Sequence, residues 1–166
     1  VYRNDTIINE DLIIESSYTD ENLPFGIYDY GVTAVYELGE SPQTQIMVQV
    51  GAPNIVFNPE SISDSLETNE ISEHIVNITN DGNFPLEWNA NVQASWIAIS
   101  ENNGIIAPGE NFDLTISLNS VGLFNGNYQS YITFEVNNLN NPVVYFPVNA
   151  FVSGEALLVV TPDTTN

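Results

Sequence analysis

Apolar and polar residues alternate one for one along most of this chain, and a period of two commits it to β-strands with one buried and one wetted face. Phe112, Leu114, Ile116 and Leu118 share one parity, and Asp113, Thr115, Ser117 and Asn119 share the other. Tyr128, Ile132, Phe134 and Val136 repeat the pattern opposite Gln129, Thr133 and Glu135, and Val144, Phe146, Val148, Ala150 and Val152 line up in the same way. No window of a dozen residues carries a helical stripe. Turn signals punctuate the strands at Asn80-Asp81-Gly82-Asn83, Asn102-Asn103-Gly104, Pro108-Gly109 and Asn125-Gly126. Short strands at this spacing predict an all-β fold of tandem immunoglobulin-like antiparallel β-sandwiches.

Gly51-Ala52-Pro53 reads as a linker, where one run of strand residues ends and another begins. GAPNIVFNPE, starting at Gly51, aligns without gaps on GEALLVVTPD, starting at Gly154. Both segments then open a module, and a separation of about 100 residues suits one sandwich. The expected division is a partial sandwich over 1–51, a complete one over 52–153, and a linker or first strand of a further module over 154–166.

Charge narrows the partners. The chain holds 22 acidic residues against one cation, Arg3, and no lysine, for a formal net charge of −21 at pH 7. Phosphate backbones are bound by Lys and Arg that displace condensed counterions, so nucleic acid is excluded as a direct partner, and an anionic membrane surface repels the chain by the same Coulomb term. Cysteine is absent, which removes disulfides, thiolate metal sites and thiol nucleophiles together. The longest apolar runs, such as Ala156 to Val160, fall far short of the roughly 20 residues that span a bilayer, so no membrane insertion is expected. An export signal would lie outside this segment.

Residues 1–50, with VYRND and then SYTDENLPFGIYDYGVTAVYELGESPQTQIMVQV, resemble the second half of a fibronectin type III domain. The resemblance rests on a Leu-Pro turn before a strand carrying Tyr28, Tyr30, Val32, Ala34 and Val35, and on Gly39-Glu40-Ser41 in the last hairpin. It implies that Tyr28 is a tyrosine-corner residue bonded to nearby backbone, and that the first two strands are missing, to be supplied by upstream residues or another chain. Residues 53–153 resemble the sandwich modules of Bacteroidetes surface proteins, the group of Bacteroidetes-associated carbohydrate-binding and ASH-type Ig-like domains. The matching features are Asn80 to Gly82, Trp88, Trp96, Pro108-Gly109 and Gly126 to Tyr128. That resemblance implies fold; it carries over no ligand residues.

His74 is the only histidine, so a multi-histidine metal site is ruled out and a Ser-His-Asp triad would have to be built on it. It shares parity with Val76 and Ile78, which makes it a rim or packed residue, and no Gly-x-Ser-x-Gly elbow accompanies it. The carboxylates fall on strand faces and in turns, where nothing raises the pKa of an acid partner. No enzyme and no cofactor are expected. Calcium is the ion that suits such a surface, and Asp20, Glu21, Asp81 and Asn83 are its candidate ligands, although none fits a spaced calcium loop. Trp88 alternates with Leu86 and Ala90 and is expected in the core, whereas Tyr131, Tyr145 and Phe151 fall on the polar parity and are candidates for an exposed ligand-binding platform or for packing against a neighbouring module.

Asp5-Thr6-Ile7, Asp64-Ser65-Leu66 and Asp163-Thr164-Thr165 resemble the acceptor sequence for O-linked glycans in exported Bacteroidetes proteins, which makes Thr6, Ser65 and Thr164 candidate glycosylation sites. Asn77-Ile78-Thr79 lies within a strand and is read as coincidence. The first functional reading is a non-catalytic spacer or accessory region of a secreted, multi-domain cell-surface protein, with neighbouring domains of the same chain as partners. The alternatives are a glycan- or protein-binding module and a filament subunit completed by a donated strand, with Glu155 to Thr161 as donor.

Overall fold

Alternation becomes pairing in the computed structural model, which describes residues 1–154. The first fifty residues hold β1 (Tyr2–Arg3), β2 (Thr6–Ile7), β3 (Gly26–Val32), the short hairpin β4 (Val35–Tyr36) and β5 (Gly39–Glu40), and β6 (Thr44–Val50). Asn4 and Asp5 both adopt positive φ, 48° and 63°, and so form a two-residue turn of the primed type that folds β2 back on β1. Apart from the hairpin, these strands form one antiparallel sheet in the order β2-β1-β3-β6. The strand expected to run from Tyr28 through Val35 stops at Val32. At Ala34 the backbone N–H bonds to the Ser41 hydroxyl and the carbonyl to the Ser41 N–H, which diverts the chain into the β4–β5 hairpin.

Among the described residues nine further strands follow: β7 (Ile55–Asn58), β8 (Ile62–Glu67), β9 (Ile71–Asn80), β10 (Leu86–Val92), β11 (Ile97–Ile99), β12 (Asn103–Ile106), β13 (Asn111–Asn119), β14 (Gly126–Val136) and β15 (Val143–Ser153). They make a five-stranded sheet, β12-β10-β14-β15-β8, facing a four-stranded sheet, β11-β13-β9-β7. The pairings among these described strands are antiparallel except that of β15 with β8. The fold is therefore the all-β, immunoglobulin-like sandwich that the alternation predicts.

The inward parities named above supply the core, where Leu114, Ile116, Leu118, Ile132, Phe134, Phe146, Val148 and Val152 are all buried. Trp88 is buried with them, its ring 5.8 Å from those of Phe112 and Phe134, while Phe57 lies 4.9 and 5.1 Å from Phe134 and Phe146. Asn102-Asn103-Gly104 departs from its reading as a turn, because Asn103 and Gly104 lie in β12 and Gly104 pairs with Trp88. A Cβ on Gly104 would sit 2.9 Å from the indole nitrogen, so this glycine makes room for the tryptophan rather than a bend.

Candidate functional site

At one pole of the sandwich, the linker and the first module's last strand are fastened to the loops of the second. The Gln49 amide brackets one loop, its Nε2 donating to the Asn137 carbonyl at 3.2 Å and its Oε1 accepting from the Leu139 N–H at 3.0 Å. Asn138 Nδ2 donates to the Pro53 carbonyl at 2.9 Å, and Asn83 Oδ1 accepts from the Ala52 N–H at 2.9 Å. A Cβ on Gly82 would fall 2.3 Å from the Ala52 oxygen, so the Asn80-to-Asn83 turn lies directly on the linker backbone. Beneath it Asn80 is wholly buried, and its side chain accepts from the N–H groups of Asn54 and Gly82 and donates to the carbonyls of Phe84 and Ile106. All four of its hydrogen-bonding positions are used. The sequence marks Asn80 as a turn residue; its part in locking the linker depends on contacts that only the fold brings together.

The opposite pole holds the end of β15. Thr68 N–H and Oγ1 both bond the Ser153 carbonyl, and buried Ser120 ties the β8–β9 connection by donating its hydroxyl to the Glu67 carbonyl at 2.6 Å. His74 sits near this pole and reaches across to the other sheet, with Nε2 2.8 Å from Asp64 Oδ2 and 3.2 Å from Ser72 Oγ. Both partners meet the same ring nitrogen. A triad needs the carboxylate on one nitrogen and the nucleophile on the other, so this trio is a clamp between β8 and β9. Burial raises the Asp64 pKa, but hydrogen bonds from Ser72, His74 and the Ser65 N–H outweigh it and hold the carboxyl below its ordinary value of 3.8.

The calcium candidates are not brought together. Both Asp20 oxygens accept from Arg3 Nη1, at 3.1 and 2.9 Å, and Oδ2 also accepts from the Tyr30 hydroxyl at 2.6 Å. Partial burial, then this bond to Asp20, raises the Tyr30 pKa. Glu21 and Asp81 are exposed, and Asn83 is engaged with the linker. Among the described residues, no group of three or more acidic or histidine side chains is placed to hold a metal ion.

Tyr131, Tyr145 and Phe151 stand on the outer face of the five-stranded sheet, 49%, 59% and 40% exposed. The two tyrosines meet edge to face, with centroids 5.0 Å apart and planes at 82°. Gln93, Gln129 and Asn149 surround Tyr131 in a shallow depression, so the face is aromatic and amide-rich. Trp96, the second tryptophan, is half-buried and packs edge-on against Tyr128. Thr6 and Ser65 are exposed in β2 and β8. Thr164 and the segment Glu155 to Thr161 lie outside the described residues.

Tyr28 donates its hydroxyl to the Pro24 carbonyl at 2.9 Å, and Tyr128 does the same to the Phe124 carbonyl at 3.0 Å. The local bond expected of Tyr28 is thus present, and the second module repeats it.

Among solved structures, the ASH / PapD-like domain of human CEP192 is similar at a TM-score of 0.51 and 15% identity, over 63% of this chain and 89% of that one. The CsuC-CsuE chaperone-tip adhesion subunit complex of Acinetobacter baumannii gives 0.47 and 17%, over 61% of this chain and 53% of that one. A protein of unknown function from Porphyromonas gingivalis gives 0.46 and 17%, over 80% and 68%. At 15% identity, the likeness to the first of these shows the sandwich fold alone. No curated protein sequence matches. The profile described as the viral BACON domain matches residues 54–145, from the start of β7 into β15; that is more than half of the chain, and the chain belongs to this family.

Proposed function

We propose that the chain is a non-catalytic spacer or accessory region of an exported, multi-domain surface protein, holding its neighbours at a set distance and orientation. The observation that carries this reading is the path of the backbone. It enters the sandwich at the Asn80–Asn83 pole through a hydrogen-bonded joint and reaches the opposite pole at Ser153 along the eleven residues of β15, which at roughly 3.3 Å per residue span about 35 Å. A module crossed end to end adds its whole length to an array. The acidic, lysine-free surface supports the role, since net charge of one sign keeps such arrays from self-associating.

The test uses the absence of native cysteine. Spin labels at Leu38→Cys, in the β4–β5 hairpin, and Val121→Cys, at the far pole, should give one narrow distance distribution by double electron–electron resonance. Adding Gln49→Ala should broaden it. A distribution already spread over tens of Å in the otherwise native chain overturns the reading.

The Tyr131–Tyr145 pair favours a second reading, a glycan- or protein-binding face. Its rings are perpendicular, so they offer one stacking surface beside a row of amides rather than a flat platform. Retention on a polysaccharide column that is lost with Tyr131→Ala would support it; no retention on any glycan surface would leave the spacer role alone.

A further inference from the structure

The two parts of the chain share one plan. The order β2-β1-β3-β6 is that of β12-β10-β14-β15. Leu23, Gly26 and Tyr28 correspond to Leu123, Gly126 and Tyr128, both tyrosines bond the carbonyl four residues upstream, and the register agrees: Gly26 pairs with Val50 as Gly126 does with Val152, and Tyr28 with Val48 as Tyr128 does with Ala150. Burial does not agree. Ile132, Val148 and Ala150 are 0%, 0% and 5% exposed, whereas their counterparts Val32, Ile46 and Val48 are 51%, 65% and 37% exposed. In the sandwich this face is covered by β13, β9 and β7. Residues 8–25 hold the place of β13 in the chain order, yet form no strand and leave Leu12 and Ile14 exposed. β13 draws its long ladder from β9, and among the described residues the first module has no counterpart of β9.

We infer that the bare face of β3 and β6 is the seat of a second sheet, made by strands equivalent to β7 and β9, with an equivalent of β8 pairing beside β6 as β8 does beside β15, all carried in the same polypeptide on the amino-terminal side of β1. The sandwich itself identifies this occupant. There β9 passes to β10 through residues 81–85 alone, and β1 holds the place of β10, so the covering strands lead directly into β1. Once they are seated, residues 11–18 gain the ladder partner they lack and pair as β13 does.

Ile46→Cys tests this in a chain without other thiols. In the present chain the thiol should react with a maleimide at nearly the rate of a free thiol. In a chain extended by about 35 natural upstream residues, a length set by one sandwich's share of residues, labelling should slow at least 100-fold, and backbone amides of β3 and β6 in the unsubstituted extended protein should gain similar protection from hydrogen exchange. Unchanged labelling and exchange in the extended chain overturn the inference. So does slow, concentration-dependent labelling in the present chain with a dimer in sedimentation, which would make a second copy the occupant.

Discussion

Single residues in this chain are placed by what they leave room for as much as by what they contact. Trp88 fills the centre of the core because position 104 has no side chain; Gly104→Ala puts a carbon 2.9 to 3.0 Å from three atoms of an indole already held by Phe112 and Phe134. A locked ring cannot yield cheaply, so a loss of about 1–3 kcal/mol is expected, read as a lower denaturation midpoint with unchanged slope. Asn80→Ala acts by the opposite route, taking a hydrogen-bond partner from two N–H groups and two carbonyls, and about 3 kcal/mol is the expected cost. Asp64 gives the pH dependence a sign. Its carboxyl is held below the ordinary 3.8 in the folded state, so the clamp contributes stability above that value and loses it as the pH falls through the lower, folded one. Asp64→Asn should therefore lower stability at pH 7 and flatten the acid limb of a pH–stability curve below about pH 4. An acid limb of unchanged steepness would remove the clamp as its source.

Among the elements, those with long one-sided alternation were legible in the sequence. β13, β14 and β15 are placed by parity alone, and with them the outward positions of Tyr131, Tyr145 and Phe151, because a buried face imposes one register. The rest was hidden for physical reasons. Asn103-Gly104 has turn chemistry yet lies in a strand, since the constraint comes from Trp88 on the paired strand. The joint depends on Gln49 meeting Asn137 and Leu139 about ninety positions away, a contact with no local signature. The first sheet lacks a long alternating stretch, and its strands lean instead on Arg3, the one cation, which bonds both oxygens of Asp20 and lies 5.9 Å from the Tyr28 ring centre. Arg3→Ala should loosen that sheet selectively. Hydrogen exchange is expected to quicken in β1 and β3 while the amides of β9 and β13 keep their protection; equal quickening in both parts would mean that the two unfold as one unit.

At the scale of the whole molecule, a spacer is only as good as its joint, and this joint depends on an atom that is missing. The Gly82 Cα lies so close to the linker that an added methyl would meet the Ala52 oxygen at 2.3 Å and the Asn54 nitrogen at 2.5 Å. Backbone cannot swing aside as a side-chain end can, so Gly82→Ala must push the linker off the turn and with it break the Asn83 bond to Ala52 and strain those of Asn80 and Asn138. The core aromatics lie away from this contact, so the sandwich should remain folded. In the native chain, with its joint closed, nitrogen-15 relaxation should report one rotational correlation time for residues 2–50 and 55–153. In Gly82→Ala the two should separate, the smaller part tumbling faster. A single shared correlation time in the variant would show that orientation is fixed elsewhere, and two separate times in the native chain would show a hinge where the spacer reading requires a rigid joint.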